Sequence, residues 1–281
     1  MKNYCFAAII LLVLLSAVAA LGGQDPSTDA HDPLVRFLDV GEGAATLIQT
    51  GNNKHILIDC GNVITGAQVL DVCRRAGVRE LDALIITHPH ADHMGGVFQL
   101  LSELKIKRVY DNGQPIPPNP PCDIYRWYRE AVRSRKNYRV LRRGEHLSWP
   151  GVEIDVLWPG DVMDKNWNNN ALVLRLQAGG RRLLLMSDAG RQVENALLRQ
   201  LPGDLAAEVL QVGHHGAADA SSAAFLRAVK PRLAVISINR HNIRGYPAPD
   251  TVRLLSQLKI KTFLTYRDGD FVFPGKAASG L

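Results

Sequence analysis

The chain has 281 residues, 46% hydrophobic and 21% charged, with a formal net charge of +6. That length buries a sizeable core as one large domain or two modest ones, and the balance excludes a disordered, collagen-like or disulfide-scaffold protein. The opening segment changes even these figures. Residues 1–20 carry one charge, Lys2, then the apolar run Cys5–Leu15 and the small-residue exit Ala17-Val18-Ala19-Ala20. This is the layout of a secretory signal peptide with an A-x-A cleavage site, and the apolar stretch is shorter than the roughly 20 residues of a spanning helix. The expectation is a secreted or periplasmic protein of net charge +5, with no stable membrane insertion after cleavage. Cys60, Cys73 and Cys122 remain, an odd number that cannot all pair internally; buried free thiols are expected.

Residues 21–32 read as a linker. Leu34–Val40, Ala45–Gln49 and His55–Asp59 look like strands, with a hairpin signal at Gly51-Asn52-Asn53. Residues 64–76 pattern as a helix, and Asp82–Thr87 as a short apolar strand that ends at a histidine cluster. A helix over 92–104 and a strand over 107–110 follow. Pro115–Pro121 breaks the pattern, and Asp123–Arg135 reads as a basic helix. Further strands are expected at 152–158, 171–177 and 181–187, then a helix at 191–200 and a strand at 207–212 that meets a histidine pair. Helix 221–229, strand 232–238, helix 249–258 and two short strands complete the domain, and 276–281 is a tail. Two β-rich blocks with helices predict two sheets packed face to face with helices outside, as one domain over 33–275.

Five of nine histidines fall at the ends of apolar strands. In Thr87-His88-Pro89-His90-Ala91-Asp92-His93-Met94-Gly95-Gly96, imidazoles two apart in an extended loop point the same way, so His88 and His90 can share one cation. Asp92 and His93 open the next helix and can serve a second. This nitrogen and carboxylate mixture suits two divalent ions, zinc foremost, and accepts manganese or iron. Asp188, after Leu183–Ser187, can bridge the two or cap a helix. His214 or His215 can complete the second site. Asp59 is either a partner behind a ligand histidine or a turn residue. Two cations roughly 3.5–4 Å apart lower the pKa of a shared water and clamp ester oxygens. No G-x-S-x-G, P-loop or G-x-G-x-x-G is present, so metal-activated hydrolysis leads.

The His-x-His-x-Asp-His run resembles the signature of the metallo-β-lactamase superfamily, and the resemblance implies a four-layer αββα sandwich of the α/β (α+β) class. Phe37–Gly43, Leu57–Gly61, Asn168–Leu174, Ser187-Asp188, Val212–Gly216, Phe225–Pro231 and Asp268–Phe271 narrow it to the branch similar to the C-terminal hydrolase-like domain of the competence protein ComEC. The resemblance implies His88 and His90 on one metal and Asp92 and His93 on the other. Asp188 bridges them and His214 is the distal ligand, with His215 a candidate substrate contact. Asp92, Asp188 and Tyr246 are then the catalytic residues. Many relatives place a further histidine where this chain has Asn168-Asn169-Asn170. Three more departures from that branch's pattern leave the metal ligands intact and bear on the substrate: Ala44 for an aspartate, Ala217 for a serine, and Tyr246 for a histidine. Tyr246 can still donate a hydrogen bond to an oxyanion.

Arg126–Arg143 holds eight basic side chains against Glu130, a charge of +7, with Tyr125, Trp127, Tyr128 and Tyr138 within or beside it. The rest of the mature chain is therefore slightly acidic. Basic charge with interleaved aromatics fits single-stranded nucleic acid, with Arg126, Arg129 and Arg133 as candidate contacts; a solvated helix face with inward aromatics is the plainer reading. The chain shows none of the polytopic apolar portion that ComEC proteins carry for DNA uptake. The leading expectation is a free-standing exported metallohydrolase acting on phosphodiesters. The alternatives are a hydrolase of a carboxylic ester, lactone, lactam or cell-wall phosphoester, and a non-catalytic metal-containing nucleic-acid-binding protein.

Overall fold

A computed structural model describes residues 32–41, 43–120 and 122–273. The expected signal peptide and tail, and nearly all of the linker, lie outside the described residues. The first block runs β1 (Leu34–Phe37), β2 (Thr46–Gln49), β3 (His55–Ile58), α1 (Gly66–Arg75), β4 (Glu80–Leu81), β5 (Ala83–Ile86), α2 (Ala91–Met94), α3 (Val97–Glu103), β6 (Lys105–Ile106) and β7 (Val109–Asp111). It continues through α4 (Asp123–Tyr128) and a π-helical turn (Arg129–Arg133) to β8 (Tyr138–Val140). The second block holds β9 (His146–Trp149), β10 (Val152–Trp158), β11 (Val173–Ala178), β12 (Arg181–Leu185), α5 (Arg191–Gln200), β13 (Val209–Gln211), α6 (Ala223–Val229) and β14 (Leu233–Ile236). It closes with α7 (Pro249–Gln257), β15 (Lys261–Leu264), α8 (Thr265–Asp268) and β16 (Phe271–Phe273).

Two seven-stranded sheets result, in the orders β16-β1-β2-β3-β5-β7-β8 and β15-β14-β13-β12-β11-β10-β9. Strand β16 returns from the second block to pair antiparallel with β1, which ties the two blocks into one body. Within each sheet the strands that carry site residues are parallel: β3, β5 and β7 in one, β12, β13 and β14 in the other.

Period-two alternation divides each strand between two apolar layers. Ile56, Ile58, Ala83 and Ile85 face Leu174, Leu183, Leu185 and Val209 across the sandwich. Leu47, Leu57 and Leu84 point the other way, onto Val69, Val97 and Leu100 of the helices. Leu184, Leu210 and Ala234 pack outward on Val193, Phe225 and Leu255. Because both faces are covered, the central strands read as unbroken apolar runs, and each fully buried leucine contributes roughly 2 kcal/mol. The expected αββα sandwich is present.

Two edge strands escape the sequence pattern. β8 lies inside the arginine-rich stretch, and β9 alternates exposed with half-buried positions; neither carries the apolar signature of a covered strand. The basic helix expected over 123–135 is α4 followed by the π turn. At that turn Arg133 folds inward, its Nε 2.7 Å from Asp111 Oδ2. Among the described residues no helix is long and apolar enough to cross a membrane. Cys60 and Cys73 are buried free thiols as expected, but Cys122 is exposed at the start of α4.

Candidate metal centre

The carboxyl ends of β3, β5, β12 and β13 converge, and each delivers part of one cluster. Three of these strand ends pass through left-handed backbone at residues other than glycine: Asp59 (φ 57°), Ser187 (φ 49°), and His214 and His215 (φ 48° and 52°). Such conformations cost of order 1 kcal/mol or more and persist where surrounding contacts hold them. Here they swing consecutive side chains out of strand alternation and into the site. Two glycines permit the close packing this needs. A Cβ on Gly43 would lie 2.0 Å from the Asp92 carbonyl, and one on Gly96 2.0 Å from the Cys60 carbonyl.

The convergent side chains form two three-donor groups, His88–His90–Asp188 and Asp92–His93–His215, within each of which the donor atoms lie no more than 4.8 Å apart. Asp188 Oδ1 stands 3.0 Å from His93 Nε2 and 3.4 Å from His215 Nε2, while its Oδ2 is 3.6 Å from His88 Nε2. Asp188 therefore lies between both groups. Asp92 Oδ2 is 3.6 Å from His215 Nε2. His88 and His93 are fully buried and Asp188 is 3% exposed, so bulk water does not satisfy these atoms.

Hydrogen bonds behind the ligands set which ring nitrogen faces inward. His93 Nδ1 donates to Asp59 Oδ2 at 2.8 Å, and His215 Nδ1 donates to the Ser237 carbonyl at 2.7 Å. In the neutral ring each Nε2 is then a bare lone pair, aimed at carboxylate oxygens that are also acceptors. His93 Nε2, His215 Nε2 and Asp188 Oδ1 have no hydrogen-bond partner. Burial opposes charge on His93, but Asp188 and Asp59 outweigh it and hold its pKa well above the ordinary histidine value. The same contest, with Asp188 and Asp92, raises His215. Burial also opposes the Asp92 carboxylate, yet His215 and His93 draw its pKa below the usual range. Burial and the neighbouring His88 depress His90 to about 4 and keep it neutral. A site that pulls cations so strongly between imidazole and carboxylate, from nitrogen and oxygen donors, fits divalent metal ions.

Asp59 resolves as the partner behind His93. Its Oδ1 also accepts the Thr87 N–H and its Oδ2 the Thr87 hydroxyl, each at 2.8 Å. Thr87 in turn lies 2.6 Å from Ser187 Oγ, joining the two sheets behind the ligands.

The position of His214 is a correction. The resemblance put it in the distal ligand place, but successive left-handed residues send His215 inward and His214 into the cleft. There its Nδ1 is 3.2 Å from Asp219 Oδ1 and its Nε2 3.1 Å from Asn168 Nδ2. Conversely His215, expected at the substrate, is 4% exposed and belongs to the donor group. Tyr246 packs edge-on to His214, ring centroids 5.4 Å apart, and lines a small recess with Asp92, His215 and Arg244 rather than the cleft over the cluster. Ala44 and Ala217 are buried, and neither small side chain offers a donor.

The cleft over the cluster encloses about 280 Å³ and is walled by His90, Asp92, Tyr125, Asn168, His214 and Arg244. Trp167 stacks on His90 at 5.7 Å, and Tyr125 meets Trp167 edge-on at 5.3 Å. The basic segment thus reaches the cleft through Tyr125. Its three candidate arginines do not line the cleft: Arg126 pairs with Asp123, Arg129 donates to the Pro117 carbonyl, and Arg133 is held by Asp111 and the Gln114 carbonyl. Tyr128 and Tyr138 also turn in to Asp111. Trp167 and Arg244 carry no sequence motif of their own; their only signal is position, beside the Asn168–Asn170 run and the Gly245-Tyr246-Pro247 turn.

The metallo-beta-lactamase superfamily profile matches residues 38–241, and the chain belongs to that superfamily. It is 31% identical over 244 residues to "Competence protein ComA" of Neisseria gonorrhoeae, covering 86% of this chain and 32% of that protein. It is 27% identical over 294 residues to "ComE operon protein 3" of Bacillus subtilis, covering 98% and 36% respectively. The resemblance to the ComEC-like branch therefore holds, and the chain spans about a third of the length of these relatives. Among solved structures, the metallo-beta-lactamase fold protein YhfI of Bacillus subtilis superposes with a TM-score of 0.55 at 14% identity, over 86% of this chain and all of that one, a likeness of fold.

Proposed function

We propose that the protein is an exported hydrolase that uses two divalent cations, zinc foremost and manganese next, to cleave phosphodiester bonds, with single-stranded nucleic acid as its polymer. The observation that carries this reading is the pair of three-donor groups meeting at Asp188, where His93 Nε2, His215 Nε2 and Asp188 Oδ1 are buried without a hydrogen-bond partner. Cations held by these residues would supply an acidified water and polarise the oxygens of the bond to be cut. The chain supplies the rest. Asp59 and the Ser237 carbonyl orient His93 and His215, Trp167 braces His90, and the buried histidines shield the floor from bulk solvent.

Three features support phosphodiesters. The curated relatives carry competence names. Arg126, Arg135, Lys136, Arg139, Arg142 and Arg143 remain exposed on the basic segment, beside Trp127. The cleft wall presents Tyr125, a surface on which a base can stack. The leader-like first twenty residues support export. Incubation of purified protein with single-stranded DNA and zinc or manganese tests the reading. The expected result is cleavage with one of these metals, abolished by Asp92→Ala. No cleavage with either metal, or cleavage unchanged in Asp92→Ala, sinks it, and turnover of small esters or lactams in its place moves the substrate class.

A further inference from the structure

The loop from Asn239 to Pro247 follows β14 and overhangs the cluster. Its side-chain clamp is Asn242, whose Nδ2 donates to the Tyr246 carbonyl at 2.6 Å and whose Oδ1 accepts the Tyr246 N–H at 2.7 Å. The far end is tied down where the Ala248 N–H donates to the Gly216 carbonyl at 2.8 Å, immediately after the His214–His215 turn. The loop is thus anchored to the strand end that supplies a donor histidine. At its crest Ile243 is fully exposed, and Arg244 turns back toward the cluster, its Nη1 3.4 Å from Asp92 Oδ2. The Arg244 side chain is 49% exposed, against 12% for Asp92. It therefore spans from solvent to the donor groups and lines the same cleft as Tyr125.

Among the described residues lining this cleft, Arg244 is the one lysine or arginine. Every other charged wall residue is a carboxylate of the donor groups; of the two wall histidines, His90 meets His88 at 3.0 Å and His214 is engaged with Asp219 and Asn168. A guanidinium presents a planar fork of donors that matches two oxygens of a phosphate and stays charged at all working pH values. A neutral ester or lactam offers it no such pair of anionic oxygens. The cleft volume, about 280 Å³, lies at the small end of ligand pockets; it admits the phosphate and one attached unit, and leaves the rest of a polymer outside.

We propose that Arg244 is the residue that selects an anionic substrate: its guanidinium grips a non-bridging oxygen of the phosphodiester at the mouth of the cleft that it lines with Tyr125. This rests on the hydrolase reading given above and specifies it, since it assigns charge discrimination to the Asn239–Pro247 loop rather than to the Arg126–Arg143 segment.

The test compares wild type, Arg244→Gln and Arg244→Lys, each purified with its metal content measured. Calorimetry reads binding of a phosphorothioate thymidine dinucleotide, and steady-state kinetics read a nitrophenyl phosphodiester beside a neutral nitrophenyl ester. Arg244→Gln should weaken dinucleotide binding and raise KM for the phosphodiester by about 10- to 100-fold, the worth of one charged hydrogen-bond pair. The loss on the neutral ester should be several-fold smaller than that on the phosphodiester at equal metal content, and Arg244→Lys should recover part of the phosphodiester loss, because charge remains but the fork does not. Unchanged dinucleotide binding in Arg244→Gln, or an equal loss on the neutral ester, overturns the assignment. Failure of the hydrolase reading looks different: wild type then cleaves no phosphodiester, while the difference in dinucleotide binding between wild type and Arg244→Gln persists.

Discussion

Asp59→Asn offers the most direct probe of how the centre is built, because it changes one atom's donor character at nearly constant volume. In the native protein Asp59 accepts three hydrogen bonds at 2.8 Å, from the Thr87 N–H, the Thr87 hydroxyl and His93 Nδ1. An amide has one acceptor oxygen and one NH2 group. If the NH2 faces His93, it donates to Nδ1 and drives the ring proton onto Nε2, which closes the nitrogen that faces Asp188. If the amide is turned over, NH2 meets the Thr87 N–H, donor against donor. Loss of a buried partner behind a ligand histidine lowers metal affinity typically 10- to 100-fold, or about 1.4–2.8 kcal/mol. The buried donor left unpaired in the metal-free protein costs about 1–3 kcal/mol, and at about 2–4 °C per kcal/mol for a domain of this size Tm falls by several degrees. Zinc titration against a competing chelator, with thermal unfolding of the metal-free protein, measures both. An Asp59→Asn protein that binds two cations as tightly as wild type would refute the argument that Asp59 sets the His93 tautomer.

The remaining expectations concern separate parts of the molecule. His215→Ala should lose about one metal equivalent per chain while His214→Ala keeps both, as read by elemental analysis; the reverse result would restore His214 to the ligand set. Arg133→Ala breaks a buried ion pair with Asp111 and should lower stability by about 3–5 kcal/mol, whereas the exposed Arg126→Ala should stay within about 0.5 kcal/mol; denaturant unfolding distinguishes them, and equal effects would contradict the inward placement of Arg133. Cys122 should label rapidly with a disulfide reagent at pH 8, while Cys60 and Cys73 wait for unfolding, since burial raises both thiols and takes Cys73 to about 12. Rapid labelling of three thiols in the native protein would contradict that burial.

Much of the sandwich was legible because both sheets are covered on both faces. Ala83–Ile86 and Leu183–Leu185 are unbroken apolar runs that only a buried strand requires, and the α5 and α7 helices carry clear amphipathic spacing. The edge strands β8 and β9 were not legible, since a strand with one wet face and a polar sequence looks like a loop. The donor set was legible in kind, from three histidines and an aspartate within six residues. The choice between His214 and His215 was not, because two adjacent residues differ only in direction, and direction depends on left-handed backbone at both.

The basic segment shows the same division. Its charge of +7 is a property of composition, yet Asp111, 15 residues upstream of Arg126, takes in Arg133, Tyr128 and Tyr138 from the middle of it. Adding up charges along a chain cannot see a carboxylate that arrives from another strand.

By itself, the sequence determined the chemistry available to this protein: nitrogen and carboxylate donors at strand ends, glycines where backbones must touch, and apolar runs long enough for two covered sheets. Tertiary structure alone decided geometry between distant segments. It set Asp188 between histidines drawn from β5 and β13 and turned His215 in and His214 out. It also brought Arg244, some 150 residues from Asp92 in the chain, to within 3.4 Å of that carboxylate. The physical reason is that local spacing constrains only side chains on one element, whereas a site formed where parallel strands of two sheets end is assembled by packing between them.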